Sequence, residues 1–167
     1  MKVALGDLFA IGIDGGQVAV GQIVGATPPS HLIWVAIFWP PIDRSEIDGR
    51  APRLITGSPV LLVQTFDAFL REGRWERHSN AELVAPIPWP AFRVATAPGV
   101  FWVVDHDGVL RRPASADEAT SLPFRSTMSP AAVDMAVAAL AGRAEWDEFF
   151  NGMRPGPNSE AALLGRN

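Results

Sequence analysis

Asp105-His106-Asp107 is the place in this chain where carboxylates and an imidazole fall side by side. Such groups hold divalent ions and lower the pKa of bound water, so the run is what a metal-assisted hydrolase would need. Adjacent strand residues point to opposite faces, however, which separates Asp105 from His106 unless a turn gathers them. Gly108 comes next, and Asp and Gly are residues that hairpin turns favour. A polar turn is therefore the reading we favour, with the metal site as its rival. His31 and His78 would complete a three-His zinc set, but no His-x-His or His-x-x-x-His spacing brings them together. They read as solvated or core-edge histidines, and no metal or cofactor is expected. With no Cys there is no thiol nucleophile or thiolate ligand. Neither Gly-x-Ser-x-Gly, a phosphate loop nor a dinucleotide fingerprint occurs.

Binding chemistry is better represented. The chain has six Trp and no Tyr, and Trp recurs at binding hot spots because it buries a large area. Trp34 and Trp102 lie inside apolar runs and read as core. Trp39, Trp89 and Trp146 stand beside Pro or acidic residues and are the better surface anchors. Asp43, Glu46 and Asp48 in one segment, with Glu145, Asp147 and Glu148 in another, could make an acidic surface that steers a basic protein. The plainer alternative is a solvated loop and helix face. A formal net charge of −4 argues against nucleic acid, whose phosphates are bound by clustered Lys and Arg.

The elements that must position these residues are short. The 167 residues contain 48% hydrophobic side chains, enough for one folded body without staples. Phe9, Ile11 and Ile13 alternate, as do Val18, Val20 and Val24, around Asp14-Gly15-Gly16, which predicts an opening hairpin. His31 to Trp39 is apolar at both parities and reads as a central strand covered on both faces, ended by Pro40-Pro41. Residues 40–58 read as a long loop, followed by a strand over Val60 to Gln64. Thr65 is placed to cap a helix over Phe66 to Arg71. Ser79-Asn80-Ala81-Glu82 has capping-box spacing before Leu83-Val84. Phe92 to Ala95, Val100 to Val104 and Val109 to Arg111 predict a meander, and Ser115-Ala116-Asp117-Glu118 a short helix. Ser129-Pro130, with Val133, Ala136, Val137 and Leu140 beyond, predicts the clearest helix, and Ala144 to Phe150 a second amphipathic piece.

Gly6-Asp7-Leu8-Phe9-Ala10-Ile11, Val20-Gly21-Gln22-Ile23-Val24, Ile37-Phe38 and Gly73-Arg74-Trp75, in that order, resemble the immunity protein 26 family of bacterial polymorphic toxin systems. Phe101 to Asp105, Leu122-Pro123-Phe124 and Ser129-Pro130 extend the resemblance over about residues 5–150. The chain departs from that pattern at Ala19-Val20, where members often carry an aromatic residue before the second-strand glycine. The resemblance implies a small β-rich antidote that binds and blocks a co-encoded toxin. The same family label has been attached to a phosphotriesterase activity, which implies the rival: a metal-dependent hydrolase using Asp105, His106 and Asp107.

The expected fold is α+β and mainly antiparallel, a partly open SH3-like barrel with short helices and a C-terminal helix. One β-rich globular domain is expected over 1–151, with a flexible C-terminal tail over 152–167. The expected partner is a cognate toxin protein, with neither nucleic acid nor membrane and an oligomeric state the sequence leaves open. The N-terminus lacks the apolar core of a signal peptide, and no apolar run approaches the roughly 20 residues of a membrane span, so a cytoplasmic protein is expected.

Overall fold

The computed structural model describes residues 3–27, 30–83 and 86–165. The fold is α+β and built on antiparallel sheet, divided into two compact units: Met1–Ala85 with Thr127–Arg154, and Pro86–Ser126 with Pro155–Asn167. This division differs from one domain over 1–151 with a tail after it.

In the first unit, β1 (Asp7–Gly12) and β2 (Gln17–Thr27) form the expected hairpin, turned by a short 3-10 segment in which Gly15 and Gly16 take positive φ. With β3 (Leu32–Asp43), β4 (Leu61–Phe66) and β5 (Glu76–Asn80) they make a five-stranded antiparallel sheet in the order β4-β3-β2-β1-β5. Among the described residues the sheet is not closed into a barrel. The outer side of β4 is taken instead by residues 127 and 128: Met128 N donates to Gln64 O, and Thr65 Oγ1 donates to Met128 O. That bond also explains why Thr65 is a strand residue rather than a helix cap; the helix begins later, as α2 (Ala68–Arg71).

One sheet face carries Phe9, Ile11, Ala19, Ile23, Val35, Ile37 and Val63. It packs with Val133, Ala136 and Val137 of α4 (Pro130–Leu140), the two valines each contributing about 1.5–3 kcal/mol through burial. Ser129 Oγ accepts from Ala132 N and Pro130 occupies the first turn, so α4 starts where its cap signals place it. The opposite face, with Leu8, Ala10, Val20, Gln22, Ala36, Leu62 and Gln64, is buried as well, which accounts for the two-sided apolar character of β3. Phe9 pairs with Gly21 across β1 and β2, and its ring lies where a Cβ at position 21 would be, 2.2 Å from the nearest ring carbon. The ring then stacks on Trp75 at 5.1 Å.

Three local expectations are overturned here. β3 runs through Pro40-Pro41 to Asp43, because the ladder with β2 skips register between Val18 and Val20 and so asks no N–H of the prolines. The segment read as a long loop then holds a 3-10 turn (Arg44–Glu46) and α1 (Ile47–Leu54), whose Ile47 and Ala51 are buried. The helical turn expected at Ser79 to Glu82 is absent: Ser79 and Asn80 complete β5, Asn80 Nδ2 donates to Leu5 O and Ala81 N to Gly6 O. Val84 lies outside the described residues.

The second unit has the predicted meander: β6 (Phe92–Ala97), β7 (Val100–Val104) and β8 (Leu110–Pro113), in that order. α3 (Ala116–Ser121) opens on a complete Ser115/Glu118 capping box. Of the residues expected to trail as a tail, Met153 packs in the first unit's core and those from Pro155 on belong to this unit. Ser159 caps α5 (Glu160–Leu164), Ala91 N donates to Asn158 O, and Leu163 and Leu164 pack on the small core of Ala91, Val103 and Leu122. Among the described residues no helix is long and apolar enough to cross a membrane.

Candidate functional site

The Asp105-His106-Asp107 run sits in the turn between β7 and β8, and Asp105 is fully buried there. Its Oδ1 accepts from Val109 N at 2.8 Å, and Oδ2 accepts from Arg111 Nε at 2.6 Å and from Arg111 Nη2. Burial pushes this carboxyl up, but the Val109 N–H and the Arg111 guanidinium outweigh it and hold the pKa below the ordinary Asp value. Asp105 is thus the internal brace of the turn, with both oxygens engaged.

His106 is held in part by Glu160 and Arg125, which sequence reasoning did not single out. Glu160 Oε1 accepts from His106 N at 2.6 Å and lies 2.7 Å from His106 Nδ1. A carboxylate only accepts, so Nδ1 carries the proton. The imidazole stacks on Trp89 at 4.0 Å between ring centroids. Arg125 donates from Nε and Nη2 to His106 O, and His106 Nε2 lies 3.6 Å from Asp107 Oδ2. Asp107 itself is exposed. The turn therefore gathers His106 and Asp107 but points Asp105 elsewhere. The signal for Glu160 was present as Ser159-Glu160 followed by Ala161-Ala162-Leu163-Leu164, a capped apolar stretch. The Pro and Gly residues just before it masked that signal.

His31 and His78 each have another partner: His31 Nδ1 lies 3.4 Å from Asp67, and His78 Nδ1 3.6 Å from Asp48. Among the described residues, no group of three or more His, Asp or Glu is arranged to hold a metal ion.

The expected binding residues separate into three places. Trp89 belongs to the second unit, half-buried against His106. Trp39 is half-buried on β3 and packs on the first unit's core. Asp43 is exposed at the end of β3, while Glu46 pairs with Arg50 at 2.8 Å and Asp48 faces His78, so this acidic segment is partly neutralised by its own neighbours.

The third place differs. Glu145, Asp147 and Glu148 are all exposed and make no ion pair among the described residues. Asp147 Oδ1 accepts from Phe149 N, capping a 3-10 helix (Glu148–Met153) that replaces the expected amphipathic piece. Beside these carboxylates, Met135, Ala144, Glu145, Trp146, Asp147 and Phe150 line a cleft of about 210 Å³. Met135 is 59% exposed and Phe149 57% exposed. Trp146 is half-buried, edge-on to Phe150 at 5.4 Å, and donates from Nε1 to Asn151 Oδ1. The guanidinium of Arg154 lies 4.1 Å over its ring.

Compared with protein-family models, curated proteins and solved structures, the chain matches none.

Proposed function

We propose that this protein is an immunity protein: it binds a co-encoded bacterial toxin stoichiometrically and blocks it by protein–protein contact. The observation that carries this reading is the cleft beside Trp146, where the exposed Met135 meets Glu145 and Asp147. The ordered resemblance over residues 5–150 supplies the toxin context, in which the protein would meet its target in the cytoplasm. Co-expression with the toxin encoded next to it should restore growth, and the two proteins should co-elute at one-to-one stoichiometry. Persistent toxicity with no co-elution sinks the proposal.

A second reading, hydrolysis of a phosphotriester, draws on the Glu160–His106 pair, which fixes the imidazole tautomer as a general base requires. Protein purified without chelator and assayed for bound metal and for turnover of a chromogenic triester tests it. A metal-free, inactive preparation disposes of it.

A further inference from the structure

We propose that the cleft between α4 and the 144–150 segment is the seat of a basic partner segment. An apolar side chain of the partner enters beside Met135 and Trp146, and a flanking cation takes the place that Arg154 holds over the Trp146 ring. This rests on the reading that the protein works by protein contact and names the chemistry of what it contacts.

Three observations converge. Trp146, Phe150 and the exposed Met135 line the cleft, so its occupant offers a hydrophobic side chain. Its rim carries Glu145 and Asp147, with Glu148 next in sequence, and these carboxylates have no ion-pair partner among the described residues, unlike Glu46 and Asp48. A basic occupant would neutralise them. Arg154 already shows the geometry a cation adopts here, its guanidinium centred 4.1 Å over the indole. A second copy of this chain is a poor occupant, since the chain carries a net charge of −4 and would oppose acid to acid.

The test is a titration of the full-length protein at low ionic strength with the peptide Lys-Arg-Leu-Arg-Lys, followed by tryptophan emission. The charge-reversed peptide Glu-Glu-Leu-Glu-Glu serves as comparison. The basic peptide should give a saturable, salt-sensitive change, and since Trp146→Ala removes the reporter, loss of binding in that variant should be read by calorimetry. The double variant Glu145→Gln/Glu148→Gln should bind about fivefold or more weakly, as expected for loss of rim charges at low salt. Arg154→Ala should bind more tightly, because the ring face is vacated. All the substituted side chains except Trp146 are exposed, and circular dichroism should show each variant folded. No saturable response in either the native protein or Arg154→Ala overturns the proposal, as does equal binding of the two peptides. If the toxin complex forms with undiminished affinity when Met135→Ala, Glu145→Gln and Glu148→Gln are combined, the cleft is not the seat, although the immunity reading stands. If the peptide behaves as described and no toxin complex forms, the cleft stands and the immunity reading falls.

Discussion

At position 21 the side chain is a single hydrogen because the Phe9 ring occupies the space of a Cβ. Gly21→Ala should therefore cost about 1–3 kcal/mol by overpacking, read as a lower urea midpoint with an unchanged m-value. An unchanged midpoint would show that Phe9 can move away from Trp75 without penalty. Glu118 shows a different control. The Arg112 guanidinium, reached at 2.6 and 2.7 Å, lowers its pKa first and the Ser115 N–H second, to about 2. Because the folded pKa lies below the unfolded value near 4.5, the stabilisation is complete above that value and is lost as the pH falls towards 2. Asp134 has the opposite sign: burial raises its pKa despite the Trp75 indole and Arg74, so its contribution favours the acidic side and is lost as the pH rises through its folded pKa. Glu118→Gln should lower stability at neutral pH by about 1 kcal/mol through the weakened cap and pair. It should also flatten the stability profile between pH 4.5 and 2, measured by urea unfolding across that range.

The elements of the second unit depend on its last one. α5 brings Glu160 to the His106 backbone and ring, and Leu163 and Leu164 to Ala91, Val103 and Leu122. Glu160→Ala removes the acceptor of the part-buried His106 N–H, which should cost about 1 kcal/mol. The variant should show quicker amide exchange at His106 and across β7 and β8. Exchange there no faster than in the native protein would mean that the turn is held by Asp105 and Arg111 alone.

At the level of the whole molecule, the two units differ in how much apolar surface each buries. The first unit closes one sheet face with Phe9, Trp75, Val133, Phe150 and their neighbours, whereas the second centres on Ala91, Val103 and Leu122. Local opening follows buried apolar contact, so β6, β7 and β8 should exchange at lower urea than β1, β2 and β3 in a native-state exchange series. Identical urea dependence in both sheets would indicate one cooperative body. The acidic balance of the chain acts at this scale too, since capture of a basic partner by long-range attraction weakens as salt is added.

Local rules carried the hairpin at Asp14-Gly15-Gly16, the meander from Phe92 to Arg111, and the caps at Ser115 and Ser129. In each of these the turn or cap chemistry and the strand or helix period agree within a few residues. β3 was legible as a two-sided strand for the same reason. Its passage through Pro40-Pro41 was not, since it depends on a register skip against β2. The open sheet likewise follows from residues 127 and 128 taking the outer side of β4, a pairing more than sixty positions distant in the chain. Asp105, His106 and Asp107 were identified by type, and only the tertiary structure turned Asp105 into a brace and brought Glu160 to His106. Residue type sets which chemistry is available. Which groups meet, and which are left facing water as Met135 and Phe149 are, is decided by contacts between segments far apart in the chain, to which local periodicity is blind.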